Sequence, residues 1–179
     1  MTNHAHVLLT TGSHDGPSRL MQDLGRRYVR YFNGKHGRTG TLWEGRFKAH
    51  PVQSDEHVLC VYRYIELNPV RAGLVSNPGS YRWSSHAHNA LGNCDARLAA
   101  HATYDALGDS DEMRRAQYRA LFSKDLEPET LGAIRSATNC GRPLGSQVFR
   151  ETLSRELALP LGGRNGRPKR KDFADYLFD

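Results

Sequence analysis

The chain has 179 residues, of which 38% are hydrophobic, and its mean hydropathy is −0.65. This length and composition suit one domain with a tail, and the sequence contains neither a membrane-spanning apolar run nor a signal peptide. Its three cysteines are widely spaced and form no Cys-x-x-Cys pair, which argues against a disulfide scaffold or a cysteine zinc site and favours the cytoplasm. A formal net charge of +6 favours a polyanionic partner.

The first motif is the pair His4 and His6, which precedes the apolar run of residues 7–9. On a strand, side chains two residues apart point to the same side, so the pattern predicts a strand that presents two imidazoles together. Two such imidazoles make half of a metal site. In a chain with nine histidines, a chance pair is the alternative.

A long amphipathic helix is predicted from Ser18, as its N-cap, to about Asn33. Its apolar residues recur at three- and four-residue intervals, and basic residues lie between them on the outward side. These basic residues are candidate ligands of nucleic-acid phosphates, although a solvated helix face has the same pattern. The candidates are Arg26, Arg27, Arg30 and Lys35.

Residues 42–52 alternate between charged and mainly apolar side chains, which predicts a half-buried strand. A second helix is predicted from Ser54 to about Leu67, where Asn68 and Pro69 end it.

Two tyrosines of the second helix are predicted to lie on different sides of it. At 3.6 residues per turn, Tyr62 aligns with the apolar side, whereas Tyr64 shares a more polar face with Asn68. A hydroxyl and an amide one turn apart can serve a site formed with the two histidines. The alternative is that Tyr64 packs in the core and Asn68 caps the helix end.

The remaining chain is predicted to be mainly helical. One helix covers residues 114–122, and Ser146 caps a last helix over residues 147–157. Residues 162–171 are rich in glycine and arginine, which favours a flexible tail. We therefore divide the chain into an N-terminal domain of residues 1–90, a helical region of residues 91–161 and a basic tail of residues 162–179.

Three motifs, in this order, resemble the single-tyrosine transposases related to the IS200 group. The spelling of the third is typical of the branch associated with repetitive extragenic palindromes. The motifs are Asn3-His4-Ala5-His6-Val7-Leu8-Leu9, Leu42-Trp43-Glu44-Gly45-Arg46-Phe47, and Tyr64-Ile65-Glu66-Leu67-Asn68-Pro69-Val70-Arg71-Ala72-Gly73-Leu74.

The resemblance implies an α+β fold: a ferredoxin-like HUH nuclease domain with a central antiparallel sheet flanked by helices. The family usually has a strand and a helix before its His-containing strand, so we expect this chain to lack them. A late annotated start, a decayed gene or a partner that supplies the missing part would each explain this. An incomplete sheet exposes an edge, so poor stability and weak or no activity are expected.

The resemblance also implies a chemistry. Such enzymes cut single-stranded DNA beside a hairpin, through a 5′-phosphotyrosine intermediate, and later rejoin it. By carry-over, Tyr64 is the nucleophile, and His4, His6 and Asn68 bind Mg²⁺ or Mn²⁺. The wider family often has Gln where Asn68 stands, which makes Asn68 the least secure of these assignments. No small-molecule cofactor is expected.

The basic tail resembles an arginine hook that enters an AT-rich minor groove. A solubilising tail is the alternative. The residues concerned are Arg167, Lys169 and Arg170.

Two other functions remain open at this point. One is a catalytically inactive DNA-binding remnant of such a transposase, which retains the basic surfaces. The other is a metal-dependent phosphoesterase that acts on small molecules.

Overall fold

The computed structural model describes residues 1 and 3–156, except for the side chains of residues 55 and 56. This part of the chain folds into eight α-helices and two short 3₁₀ turns, over residues 78–80 and 121–123. The helices are α1 (Gly16–His36), α2 (Ser54–Glu66), α3 (Asn68–Arg71), α4 (His86–Leu91), α5 (Ala102–Asp105), α6 (Asp111–Ala120), α7 (Pro128–Cys140) and α8 (Gln147–Glu156).

The predicted central antiparallel sheet is wrong, because residues 1 and 3–156 contain no β-strand. Both predicted strands, at residues 4–9 and 42–52, lack regular secondary structure. A strand needs a neighbour for its backbone N–H and C=O groups, and alternation of side chains does not supply one. The single pairing near these segments is an isolated parallel bridge between Val52 and Leu144.

The predicted helices are largely confirmed. Helix α2 begins at Ser54 as expected, and Ser146 caps α8 by accepting a hydrogen bond from the backbone N–H of Phe149 at 3.2 Å. Helix α1 begins at Gly16 rather than after Ser18, with Pro17 in its first turn, where no N–H donor is needed. None of the described helices is both long and apolar enough to cross a membrane.

Two hydrophobic clusters lie on different sides of α2. The first contains Val61, Tyr64 and Ile65 of α2, and the second contains Leu59 and Tyr62. Their remaining members come from other parts of the chain: Leu8, Val52, Ile134, Ala137 and Leu144 in the first, and Ala90, Tyr104, Leu107, Tyr118, Leu121 and Phe122 in the second. The predicted separation of Tyr62 from Tyr64 is confirmed. The division at residue 90 stays a prediction, although residues from both sides of it share the second cluster.

A short loop attaches the C-terminal helices to the segment before α2. The backbone N–H of Leu144 donates to the carbonyl of Pro51, and the N–H of Gln53 donates to the carbonyl of Leu144, both at 2.8 Å. A Cβ at Gly145 would approach the Phe149 ring to 2.5 Å and Gln53 Oε1 to 2.7 Å, so this position requires glycine. The loop thereby fixes the start of α8 against the chain that leads into α2.

A buried carboxylate connects α2 to α4. The Glu66 side chain is fully buried, and its Oε1 accepts hydrogen bonds from Ser85 Oγ at 2.6 Å and Asn89 Nδ2 at 2.8 Å. Its Oε2 lies 2.8 Å from His86 Nδ1. Burial and, next, the charge of Glu66 raise the pKa of the Tyr118 hydroxyl. Because a buried carboxylate without partners is costly, these three polar contacts fix α4 against the end of α2.

The replacement Glu66→Gln tests this connection. The glutamine amide keeps the shape but presents an NH₂ group to neighbours that are donors, so we expect the free energy of unfolding to fall by about 1–3 kcal/mol. Chemical denaturation followed by circular dichroism measures this change. The matched control is Glu44→Gln, at an exposed position, for which a change below about 0.5 kcal/mol is expected. Equal stability of the two variants would contradict the role of Glu66.

Candidate active site around Tyr64

Tyr64 lies in the third turn of α2, on the side of the first hydrophobic cluster. Its ring is partly buried and packs against the cluster formed by Val61, Ile134 and their neighbours. Tyr62, two residues earlier, instead contacts the rings of Tyr104 and Tyr118 at centroid distances of 6.4 and 6.3 Å. The two tyrosines are therefore in different environments, and Tyr64 faces the N-terminal segment.

The structure places His6 against Tyr64 and His4 against His6. The ring centroids of His4 and His6 are 5.0 Å apart with the planes nearly perpendicular, and the His6 ring lies 5.6 Å from the Tyr64 ring, also edge to face. Leu8 continues the segment onto the first hydrophobic cluster. The N-terminal segment is thus held against α2 by side-chain packing, although no sheet supports it.

The two imidazoles are suited to metal binding. Asn3 Oδ1 lies 2.8 Å from His4 Nδ1, so this contact orients the His4 ring. Burial, followed by the charges of His4 and Arg71, lowers the pKa of His6 below its usual 6.5. His6 is therefore neutral at neutral pH, which is the form that binds metals.

Arg71 is a component of the site that the sequence analysis missed. Its guanidinium lies over the Tyr64 ring, 4.7 Å from the centroid, and Nη2 donates a hydrogen bond to the Tyr64 carbonyl. A planar cation on an aromatic face is a favourable contact. The spacing alone does not predict this contact, because the seven residues from Tyr64 to Arg71 span the break between α2 and α3 at Leu67.

Asn68 is the predicted ligand that the structure does not join to the pair. It is the first residue of α3, one turn after Tyr64, and its carbonyl accepts a hydrogen bond from Ala72 at 3.0 Å. In the described part of the chain its side chain makes no hydrogen bond to His4 or His6. Residues 1 and 3–156 also contain no group of three or more His, Cys, Asp and Glu side chains arranged to hold a metal. The described residues therefore offer two adjacent imidazoles, His4 and His6, without a third His, Cys, Asp or Glu side chain placed to complete a metal site.

The basic residues predicted to contact DNA fall into two groups. The first group, Arg26, Arg27, Arg30 and Lys35, lies exposed on α1. The second group, Arg167, Lys169 and Arg170, lies outside the described residues.

Comparison with known proteins gives one match. Residues 1–68 match the family model described as "Transposase IS200 like", which covers somewhat more than a third of the chain and includes His4, His6, Tyr64 and Asn68. No curated protein and no solved structure matches the chain. The match supports a transposase-type enzyme that acts on DNA.

The lowered pKa of His6 predicts a pH dependence. Between the folded-state pKa and 6.5 the unfolded chain binds more protons at this residue than the folded chain, so the stability contributed by His6 is complete above pH 6.5 and decreases as the pH falls through this window. An NMR titration in chelator-treated buffer measures the pKa. We expect His4→Ala to raise it towards 6.5 and Arg71→Ala to raise it less. His14→Ala, at an exposed position, is the control, and a His6 pKa at or above 6.5 would contradict this account.

Proposed function

We propose that the chain nicks and rejoins single-stranded DNA at hairpin or palindromic sequences through a covalent bond to Tyr64. The observation that carries this proposal is the contact of His6 with Tyr64 and of His4 with His6, inside the segment that matches the IS200-like family. A nucleophile and two metal-binding side chains, 58 residues or more apart in sequence, converge there. The spelling of the tyrosine motif favours the branch associated with repetitive extragenic palindromes.

In the proposed step, Tyr64 Oη attacks the phosphorus of a phosphodiester. The bond from phosphorus to the 3′ oxygen breaks, the departing oxygen takes a proton to become a 3′-hydroxyl, and the tyrosine proton passes to solvent. The product is a 5′-phosphotyrosine, which a 3′-hydroxyl of another strand reverses without ATP. Tyrosine has a pKa near 10 in solution, so it is a weak nucleophile at neutral pH and needs an electrophilic phosphate.

A divalent ion held by His4, His6 and Asn68 would make the scissile phosphate more electrophilic and neutralise the charge that develops on it. Imidazole ligands suit Mn²⁺ better than Mg²⁺, which prefers oxygen. The His4 ring is already oriented by its contact with Asn3.

Arg71 positions the nucleophile in this proposal. Its contacts with the ring and with the carbonyl of Tyr64 restrict the rotation of the tyrosine, so that the hydroxyl is presented in one direction. The guanidinium also places a permanent positive charge beside the reacting groups, which favours the approach of a phosphate.

The exposed basic residues of α1 supply the sequence-independent part of DNA binding. Arg26, Arg27, Arg30 and Lys35 lie on a helix whose only acidic residue is Asp23. Contacts from such residues to phosphates orient a strand without reading its sequence.

A catalytically inactive DNA-binding remnant is the second candidate. The observation that favours it is the exposed basic surface of α1, which suits DNA binding whether or not Tyr64 reacts. Such a protein would keep the basic surface of α1 and bind DNA without forming a covalent bond.

The replacement Tyr64→Phe separates these two functions. The expectation of weak activity rested on an incomplete sheet, and residues 1 and 3–156 contain no β-strand. We therefore expect the wild-type chain to form a denaturation-resistant adduct with a labelled hairpin oligonucleotide in Mn²⁺, and Tyr64→Phe to form none while it binds the oligonucleotide equally well. Tyr62→Phe is the matched control, because Tyr62 lies on the other side of α2, and it should keep the adduct. Binding by the wild type with no adduct would support the remnant, and turnover that survives Tyr64→Phe would support a phosphoesterase.

Removal of the imidazoles tests the metal site separately from catalysis. We expect His4→Ala and His6→Ala each to weaken Mn²⁺ binding at least tenfold in a calorimetric titration of the DNA-free protein, because each removes a ligand. His14→Ala, an exposed histidine of the same segment, should leave the affinity unchanged. Unchanged affinity in the first two variants would show that the ion is held elsewhere.

A further inference from the structure

Helix α1 has an apolar stripe that the described fold leaves uncovered. It is 21 residues long, yet none of its residues is buried, and it packs closely against no other helix in the described part of the chain. The exposed large side chains on it are Leu20, Leu24, Tyr28 and Tyr31. A helix of this amphipathicity normally buries its apolar side, so the exposed stripe indicates a surface that binds a partner.

Trp43 and α1 together form a shallow groove. The Trp43 ring is 44% exposed and lies 5.8 Å from the Tyr28 ring, centroid to centroid. Its approach depends on Gly25, where a Cβ would come within 3.3 Å of Trp43 Nε1. The segment that leads from the end of α1 back to Trp43 is held by Asn33 Nδ2, which donates a hydrogen bond to the carbonyl of Gly40 at 2.8 Å. The groove is lined by Met21, Gln22, Gly25, Arg26, Val29, Arg30, Gly40, Thr41 and Trp43.

The groove combines an apolar floor with a cationic rim. Arg26 and Arg30 are one turn apart on α1 and both line it, and neither forms an ion pair with a described residue. A nucleobase has an apolar face and is attached to an anionic phosphate. An aromatic surface beside cations is the arrangement with which proteins bind unpaired bases of a single strand.

The charge of α1 indicates which kind of partner can cover its apolar stripe. The helix carries five Arg and Lys side chains against the single acid Asp23, so a second copy of the same face would bring like charges together. A polyanion has the complementary charge. A double helix keeps its bases stacked inside, so only an unpaired base can enter the groove and lie on Trp43.

From the groove and its charge we infer a binding site for one unpaired base of a DNA strand, with that base stacked on Trp43 and its flanking phosphates on Arg26 and Arg30. This inference rests on DNA as the partner in the proposed function. It adds a binding site that is separate from Tyr64 and makes the groove the element that distinguishes single-stranded from duplex DNA.

Intrinsic fluorescence tests the inference, because the chain has two tryptophans. Trp83 is the matched control: it is 71% exposed and also has an arginine on its ring, with Arg82 4.3 Å from the centroid. In the full chain, Trp83→Phe leaves Trp43 as the reporter, and Trp43→Phe leaves Trp83. Each variant is titrated with oligo(dT) and with a duplex of equal length.

We expect oligo(dT) to quench Trp43 saturably and Trp83 little, and to bind Trp43→Ala about tenfold more weakly than Trp83→Ala. Gly25→Ala keeps both tryptophans and every charge but narrows the groove, so it should also weaken binding of oligo(dT). Its folding is checked by circular dichroism. The duplex should not distinguish the Trp43 and Trp83 variants.

Three results would overturn the inference. They are equal quenching of the two tryptophans, equal effects on single strand and duplex, and a sedimentation result in which α1 joins two copies of the chain and excludes oligo(dT). The Tyr64 adduct assay is run on the same variants. If no adduct forms but oligo(dT) still quenches Trp43 selectively, the proposed Tyr64 chemistry alone is contradicted. If the adduct forms without selective quenching of Trp43, the base-binding groove alone is contradicted.

Discussion

The fully buried carboxylate of Glu66 is the constraint on which the described fold most depends. It sits at the end of α2 and is satisfied by Ser85, His86 and Asn89, so α4 cannot shift without leaving a buried charge unpaired. Hydrophobic clusters on different sides would by themselves allow α2 to rotate or slide. Because a hydrogen-bonded charge has a defined direction, the orientation of α2 is fixed, and with it the direction in which Tyr64 faces.

The helices could be predicted from the sequence, whereas the predicted sheet is wrong, because the described residues contain no strand. Periodicity and capping are local, so the position of α2 follows from its apolar spacing and that of α8 from the cap Ser146. A strand forms only by pairing with another segment, and the alternation of side chains in residues 42–52 does not indicate which segment would pair with them. Trp43, expected in a half-buried strand, is instead 44% exposed beside α1.

The candidate site was predicted in part for the same reason. His4, His6 and Tyr64 could be predicted because the local sequence pattern and the family resemblance both indicate them. In the structure, packing of Leu8 on the first hydrophobic cluster brings the N-terminal segment to α2. Arg71 was missed because its contact crosses the break between α2 and α3, where a helical period is not reliable. Its stacking on Tyr64 is a tertiary fact that only coordinates supply.

The different burial of α1 and α2 determines which residues can change without loss of the fold. On α2, Glu66 and Tyr64 lie in packed surroundings, so a substitution there changes both the stability of the fold and the proposed chemistry. On α1 no residue is buried, although Tyr28 contacts the rings of Phe32 and Trp43 and Arg19 lies 3.5 Å from Asp15. A helix that has no buried residue and combines five cations with an exposed aromatic stripe suits an anionic partner, which makes α1 the part of the chain where binding can be altered apart from folding.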